Sequence, residues 1–337
     1  MEQILLISIF VSFILTAIFL PRWIRKCHEV GLLWRDMNKI GKPKNVAASG
    51  GVVVVLSFVI GVLVYIGLNT FILNYSNGIT QSIFAILCTV TILAIVGLAD
   101  DLFGWNHGGL SKKFRIFLVL MASIPLIVIS AGVHTMMVPF VGIINFGLIY
   151  PLVLIPIGIV GATTTYNMLA GFNGLEAGQG IIILSFMSLI SYMIGMPWLA
   201  MIGLTMVAAL VVFYLFNRVP AQVFPGDSLT YSIGALIAIM AIVGNFEQVA
   251  IIMFVPFIIE TFLKLRGGLK KQSFATPNPN GGLKLPYKKI YGLTHLSIFI
   301  LSKFKRRVTE KDVVRFLLIF QLMMCIIAYL VFKFRIA

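Results

Sequence analysis

Long runs of apolar residues, separated by short polar stretches, dominate the pattern of the chain. A run of about 18 apolar residues is long enough to span the hydrocarbon core of a bilayer as an α-helix. We predict ten such helices, at 3–20, 52–73, 81–98, 114–132, 143–161, 180–197, 199–217, 228–244, 247–264 and 313–332. The pattern therefore predicts an all-α, polytopic integral membrane protein with a single membrane domain over residues 1–337.

The composition agrees with this fold class. Of the 337 residues, 60% are hydrophobic and 11% are charged, whereas a soluble domain usually carries about 25% charged residues. The mean hydropathy is +1.04. The three cysteines show no metal-site spacing, and we expect no structural disulfide.

The positions of the basic residues predict how the helices are oriented. The formal net charge is +15, but Lys and Arg lie mainly in alternate loops, which indicates membrane topology and no nucleic-acid partner. Because positive loops stay cytoplasmic, we expect both termini outside the cell. The active-site face is then formed by the cytoplasmic loops 21–50, 99–115, 162–179, 218–227 and 265–312.

Two adjacent carboxylates, Asp100 and Asp101, follow the predicted helix 81–98. The helix dipole disfavours anions at a helix C-terminus, so this pair is expected to need a cation. Lys112 and Lys113 are candidates, and a divalent metal ion is the other. A solvated helix end is the alternative without a function.

The segment 163–180 places Asn167, Asn173 and Glu176 beside four glycines. Amide carbonyls bind hard cations, and glycines let the backbone approach a ligand. Asp227 starts another predicted helix, where it either caps the helix or helps to hold a magnesium-bridged phosphate. Acids, amides and lysines on one face suit metal-assisted phosphoryl transfer.

At these residues the sequence resembles the polyprenyl-phosphate N-acetylhexosamine-1-phosphate transferases. The stretch 100–113 is similar to the first aspartate motif, 167–178 to the signature of the eukaryotic branch, 224–227 to the third motif and 35–39 to the first cytoplasmic loop. The resemblance implies transfer of GlcNAc-1-phosphate from UDP-GlcNAc to a polyprenyl (dolichyl) phosphate with release of UMP. It also implies Mg²⁺ as cofactor, with Mn²⁺ as a substitute, and a place at the first membrane step of lipid-linked oligosaccharide synthesis for N-glycosylation.

The resemblance further implies a role for each matching residue. Asn167 and Asp227 correspond to metal ligands, and Lys113 to a lysine that holds phosphates. Asp100 and Asp101 correspond to the pair that orients or deprotonates the lipid phosphate. A phosphate monoester already carries a nucleophilic oxygen at neutral pH, so positioning is expected to suffice.

Substrate-binding residues are implied in the same way. Asn173 and Phe224 correspond to uracil contacts, and Gly171 to a position where the backbone approaches the base. Further substrate-binding candidates are Met37, Asn38, Lys39, Glu176, Lys284 and His295.

The loop 265–312 departs from the family pattern. It has neither the arginine-rich clamp of the eukaryotic enzymes nor the full His-His motif of the bacterial ones. This mixture resembles archaeal members, which implies a dolichyl phosphate acceptor in an archaeal cell membrane. The departure from the family pattern also leaves open an alternative reaction, in which another N-acetylhexosamine-1-phosphate is transferred to an undecaprenyl-type phosphate for cell-envelope glycan. Residues 293–304 fit either an amphipathic helix on the membrane or a solvated linker.

Two other classes of protein are alternatives. A transporter would place charges at mid-membrane between broken helices, but the predicted helices here are largely free of charge. A membrane scaffold would have no need for the acids and amides of the cytoplasmic loops. A homodimer stays open, because lipid-facing helices look alike in sequence whether or not they pair.

Overall fold

The computed structural model describes residues 2–72, 78–138 and 142–336, most of which are helical. The helices are α1 (Glu2–Val30), α2 (Gly51–Phe71), α3 (Ile79–His107), α4 (Lys112–Ala122), α5 (Ile124–Val128), α6 (Ile155–Met168), α7 (Leu175–Met193), α8 (Pro197–Asn217), α9 (Gly226–Val243), α10 (Glu247–Met253), α11 (Val255–Arg266), α12 (Leu293–Ser302) and α13 (Glu310–Ile336). A π-helical turn, Tyr150–Leu154, leads directly into α6. Three antiparallel hairpins are formed by β1 (Leu33–Arg35) with β2 (Lys44–Ala47), β3 (Thr135–Val138) with β4 (Gly142–Asn145), and β5 (Thr276–Pro277) with β6 (Leu283–Lys284).

The predicted class, a polytopic helical membrane protein, is confirmed. Within the described ranges, eight helices are long and apolar enough to cross a bilayer, and the bent pair α10–α11 makes nine. The two helices of that pair meet at 62° beside Pro256, because proline lacks the N–H that would continue the helix. The predicted helix 114–132 is divided in the same way at Ser123, just before Pro125, into the short α4 and α5.

The predicted helix 143–161 begins too early. Its first residues form β4, in which Ile144 pairs with Met136 of β3, and the helical turn starts only at Tyr150. A short apolar run fits a strand as well as a helix, and hydrophobicity alone does not separate the two. The segments 74–80 and 133–142, which separate predicted helices, lie partly outside the described residues.

The segment 293–304 does form a helix, α12, but this helix packs into the protein. Its buried residues are Leu293, Thr294, His295, Ser297 and Ile298. Helix α12 contacts α11 and α13. A solvated linker is therefore the wrong description of this part of the loop 265–312.

Helix α9 lies at the centre of the bundle. Every residue from Ser228 to Ile242 is buried, and the helix packs against α2, α3 and α6. A Cβ atom added at Gly51 of α2 would lie 2.4 Å from the Cβ of Leu229, and one at Gly234 would lie 2.7 Å from a carbonyl oxygen of α6. Small residues at these crossings let the helix backbones approach closely, as is usual inside membranes.

A backbone-to-backbone approach joins α3 to the first turn of α9. A Cβ added at Gly97 would lie 2.4 Å from the carbonyl carbon of Asp227 and 2.4 Å from the backbone nitrogen of Ser228. Helix α3 does not end at Leu98, as its predicted bounds require, but continues to His107. Asp101, one helical turn after Gly97, is thereby held beside the N-terminus of α9.

We predict that Gly97→Ala destabilises the protein, because the added methyl group meets backbone atoms that have no room to move. Overpacking of this kind costs about 1–3 kcal/mol, measured as a lower thermal unfolding midpoint in detergent. Gly67→Ala in α2 is the matched control, since nothing lies within 4 Å of its added Cβ. Equal midpoints for the two variants would contradict the close α3–α9 contact.

Candidate active site

A cavity of about 550 Å³ opens where α3, α6, α7 and α9 meet the loops that are predicted to be cytoplasmic. Its lining comes from five separate parts of the chain, which the fold brings together. The lining residues are Leu33, Trp34, Arg35, Asp36, Met37, Lys44, Ser49, Asp101, Asn167, Ala170, Gly171, Phe172, Asn173, Glu176, Asn217, Phe224, Pro225, Gly226, Asp227, Thr230, Gln272 and Phe274. Two polar ends can be distinguished within it.

Backbone pairing fixes one wall of this cavity. The residues after β2 run parallel to the segment before α9, with a bridge between Ala47 and Val223. The N–H of Gly50 donates to the carbonyl of Phe224 at 2.9 Å, and the N–H of Gly51 donates to the carbonyl of Pro225 at 3.0 Å. These bonds tie the start of α2 to the segment that carries Phe224, so both sides of the wall are held by main-chain contacts.

The first polar end of the cavity is acidic. Asp101 accepts a hydrogen bond from the backbone N–H of Asp227 at 2.8 Å, which satisfies one of the unpaired donors at a helix N-terminus. The other carboxylate oxygen of Asp101 is buried and has no hydrogen-bond partner among the described residues. Asn167 of α6 joins this end, because its carbonyl oxygen accepts from the hydroxyl of Thr230 at 3.1 Å.

Arg115 is the cation that serves this acidic end, and sequence reasoning had not selected it. Its guanidinium group lies 2.7 Å from Asp100 and 3.5 Å from Asp227. Ser111 caps α4 by accepting from the N–H of Phe114 at 3.4 Å, which sets the rotation of the helix. Arg115 lies one helical turn after the capping residue Ser111, and this spacing was the signal in the sequence that could have identified it.

Asp100 and Lys113 occupy less central positions than predicted. Asp100 is buried and accepts from Leu110 N–H at 2.6 Å as well as from Arg115, but it does not line the cavity. Lys113 is exposed on the first turn of α4, also outside the lining. The structure thus assigns Asp101 to the cavity and Asp100 to the support of Arg115, while the phosphate-holding role of Lys113 stays a prediction.

The second polar end is formed by the segment 171–176. Glu176 accepts from Gly171 N–H at 2.7 Å. Gly171 has φ +109°, and a Cβ there would lie 2.8 Å from the ring of Phe274. Both the dihedral angle and the ring require glycine at this position. Asn173 is buried in the same wall, whereas Asn167, which the sequence grouped with Asn173 and Glu176, lies at the acidic end.

The loop after β1 supports this second end. Met37 lines the cavity. Asn38 donates to the carbonyl of Gly171 at 2.8 Å and accepts from Ala275 N–H at 3.0 Å. Lys39 forms ion pairs with Asp36, at 3.4 Å, and with Glu310 of α13. Asn38 and Lys39 therefore hold neighbouring segments together.

The loop 265–312 contributes Gln272 and Phe274 to the lining, although neither residue was predicted. A buried ion pair in α11 anchors this loop. Lys264 lies 3.7 Å from Glu260 and donates to the hydroxyl of Ser273 at 2.6 Å. Glu260 accepts from Leu293 N–H at 2.5 Å. Both ends of the loop are thus fixed to one helix.

Two predicted residues of this loop lie away from the cavity. Lys284 is exposed in β6, and His295 is buried in α12. Burial, and to a lesser degree the nearby Lys264 cation, lowers the pKa of His295 below its ordinary value. A neutral ring then donates from Nε2 to the carbonyl of Phe274 at 3.3 Å, so His295 supports the wall from behind.

The donors at the acidic end fit a hard divalent cation. They are the carboxylates of Asp101 and Asp227 and the amide oxygen of Asn167, and oxygen ligands are the kind that Mg²⁺ prefers. Within the described ranges, no group of three or more His, Cys, Asp or Glu side chains is arranged to hold an ion alone.

The fold and this cavity define a polytopic membrane protein whose site collects oxygen ligands at the membrane boundary. Residues 83–245 match glycosyl transferase family 4, a range that contains Asp101, Asn167 and Asp227. A relative from Saccharolobus solfataricus, provisionally named UDP-N-acetylglucosamine–dolichyl-phosphate N-acetylglucosaminephosphotransferase, is 34% identical over 304 residues, 89% of this chain and 88% of the relative. The chain belongs to glycosyl transferase family 4, a family of membrane enzymes that transfer sugar phosphates, as the resemblance of its motifs implied.

Eukaryotic and bacterial relatives are more distant. A Dictyostelium discoideum enzyme named UDP-N-acetylglucosamine–dolichyl-phosphate N-acetylglucosaminephosphotransferase is 26% identical over 308 residues, 77% of this chain and 72% of the relative. A Streptococcus pneumoniae phospho-N-acetylmuramoyl-pentapeptide-transferase is 24% identical over 269 residues, 77% of this chain and 81% of the relative. The chain therefore matches most of the length of each.

We predict that Arg115→Gln lowers the thermal unfolding midpoint, because it leaves neighbouring carboxylates without their cation. The loss of a charge-assisted hydrogen bond costs about 1.5–3 kcal/mol. Lys113→Gln should leave the midpoint unchanged, since this side chain is exposed. A smaller effect at Arg115 than at Lys113 would contradict the arrangement of the acidic end.

Proposed function

We propose that the protein transfers GlcNAc-1-phosphate from UDP-GlcNAc to dolichyl phosphate, as the first membrane step of lipid-linked oligosaccharide synthesis for N-glycosylation. An oxygen of the lipid phosphate attacks the phosphorus that carries the sugar. The bond from this phosphorus to the oxygen bridging to the uridine phosphate breaks, and UMP leaves with that oxygen. The single observation that carries the proposal is the cavity whose acidic end gathers Asp101, Asp227 and Asn167 in a chain of this family.

The two polar ends of the cavity suit the two parts of a nucleotide sugar. The diphosphate would lie at the acidic end, where Arg115 supplies positive charge. The uridine would lie against the wall formed by Gly171, Asn173 and Phe224. A bound substrate would then be held at both ends, with the reacting phosphorus near Asp101, so positioning accounts for much of the rate.

Mg²⁺, which Mn²⁺ would replace, is proposed as the cofactor, and when bound it would neutralise charge on the diphosphate. Asp227 and Asn167 would be its protein ligands. The Asp101 carboxylate lines the same end of the cavity, where it would orient the lipid phosphate. Asp100 and Arg115 hold this end in place from behind.

The acceptor implies a membrane location for the site. The cavity lies at the ends of spanning helices, so a lipid phosphate at the bilayer surface would reach it without leaving the membrane. The basic loops support a cytoplasmic location for this face, with both termini outside. We propose the membrane of an archaeal cell, since the relative at 34% identity is archaeal.

Other readings are less well supported. A different N-acetylhexosamine on an undecaprenyl-type acceptor would follow the bacterial relative, which is only 24% identical. A transporter would need charges along a path through the bundle, yet every residue of α9 from Ser228 to Ile242 is buried in the packed centre.

A double-labelled donor tests the reaction. UDP-GlcNAc with ³H in the sugar and ³²P in the sugar-linked phosphate would be incubated with purified protein, dolichyl phosphate and Mg²⁺. We expect both labels in the organic phase at the same ratio, with UMP released. Transfer of ³H without ³²P, with UDP released, would show that the sugar alone moves and would contradict the mechanism.

We predict that Asp227→Ala and Asn167→Ala each lower turnover by about 100-fold or more, because a metal ligand is removed. Both should retain the folded state, measured by gel filtration and thermal unfolding. EDTA should stop the reaction, and Mg²⁺ or Mn²⁺ should restore it. Glu29→Ala is the control, since Glu29 pairs only with Lys26 on an exposed helix surface. Near-normal turnover in either ligand variant would exclude the metal assignment.

A further inference from the structure

Two buried carboxylates hold Asn173 in the wall of the cavity. Asp36 accepts from the side-chain NH₂ of Asn173 at 2.9 Å, and Glu310 accepts from its backbone N–H at 2.9 Å. Asp36 and Glu310 are each 5% exposed, and Asn173 is 4% exposed. Neither acid lies at the acidic end that we assign to the phosphates, so the mechanism leaves both without a role.

Asp36 determines which way the Asn173 amide faces. Its carboxylate forms an ion pair with Lys39 at 3.4 Å, and an ionised carboxylate only accepts hydrogen bonds. The NH₂ group of Asn173 must therefore be turned to Asp36. Asn173 lines the cavity, and its amide oxygen accepts no hydrogen bond from the described residues, so this oxygen is left free to accept one.

The backbone around Asn173 is fixed as well. Besides the bond to Glu310, the next N–H, that of Gly174, donates to the side chain of Asn217 at 3.0 Å. Asn38 also donates to Glu310 at 3.4 Å. The remaining freedom of Asn173 is a rotation of its amide by half a turn, and the bond to Asp36 prevents that rotation.

We propose that Asp36 is a positioning residue for nucleobase specificity, acting through the amide of Asn173. The proposal rests on the proposed function, in which the donor is a uridine nucleotide. Uracil offers an imide N–H, which matches the fixed acceptor. Cytosine has an acceptor at the same ring position, so two acceptors would face each other, and a buried unpaired acceptor is strongly disfavoured.

Asp36→Asn tests this directly. The new side chain both donates and accepts, so either orientation of the Asn173 amide becomes possible. Dissociation constants for UDP and CDP with Mg²⁺ would be measured by titration calorimetry on the purified full chain in detergent. The wild type should prefer UDP by about tenfold or more, and the variant should lose most of that preference.

Two controls separate specificity from general damage. Asp312→Asn removes the same charge from the first turn of α13, where Asp312 pairs with Lys305, and it should keep the wild-type ratio. UDP methylated at N3 of the base lacks the imide N–H, so wild-type protein should bind it as weakly as CDP. If the Asp36→Asn variant does not fold, the binding of N3-methylated UDP by the wild type tests the proposal instead.

The possible outcomes are distinct. A UDP preference that survives in folded Asp36→Asn, or tight binding of the N3-methyl ligand by the wild type, overturns the role of Asp36 and leaves the proposed function intact. Equal binding of UDP and CDP by the wild type, or binding of neither, refutes the uridine donor and the inference with it. Loss of the preference only in the Asp36 variant supports the proposal.

Discussion

The hydrogen bond from the backbone of Asp227 to the carboxylate of Asp101 is the contact on which the acidic end depends. The first N–H groups of a helix have no partner inside it, and the helix dipole favours an anion beside them. Helix α9 begins at the membrane boundary, where such groups would be costly to leave unpaired. Asp101 reaches them only because Gly97 lets α3 and α9 touch backbone to backbone.

This contact creates an electrostatic requirement. It brings the side chains of Asp101 and Asp227 to one place, with Asp100 close behind, and like charges in a partly buried site repel each other. Arg115 supplies part of the positive charge that these carboxylates require. A divalent cation bound with a diphosphate would supply the rest, which explains why the site suits phosphoryl transfer and not simple helix capping.

The opposite end of the cavity is built on a different principle. There the acids Asp36, Glu176 and Glu310 accept hydrogen bonds from amides and backbone N–H groups. Hydrogen bonds between such donors and fixed acceptors give directional recognition. The cavity therefore combines an end suited to charge with an end suited to shape and hydrogen-bond pattern.

The sequence predicted the class of fold and much of the site. Long apolar runs located most of the helices, and the motifs selected Asp101, Asn167, Asn173 and Asp227, which the structure brings to one cavity. Breaks beside prolines were missed, because the hydrophobic pattern continues through them.

Residues that act through long-range contacts could not be found in the same way. Glu310 lies far along the chain from Asn173, and no local pattern relates the two. Phe274 is an ordinary aromatic residue in a polar loop until the fold sets its ring against Gly171. Arg115 was within reach of prediction, since its helical spacing from Ser111 places it toward the acids.

The most direct measurement of the central claim is the position of Mn²⁺ in crystals of the protein grown with UDP, located by anomalous scattering. We expect a single site among Asp101, Asp227 and Asn167, in contact with the diphosphate. An ion found instead among Asp36, Glu176 and Glu310 would contradict this expectation, because the acidic end would then not be the end that binds phosphate.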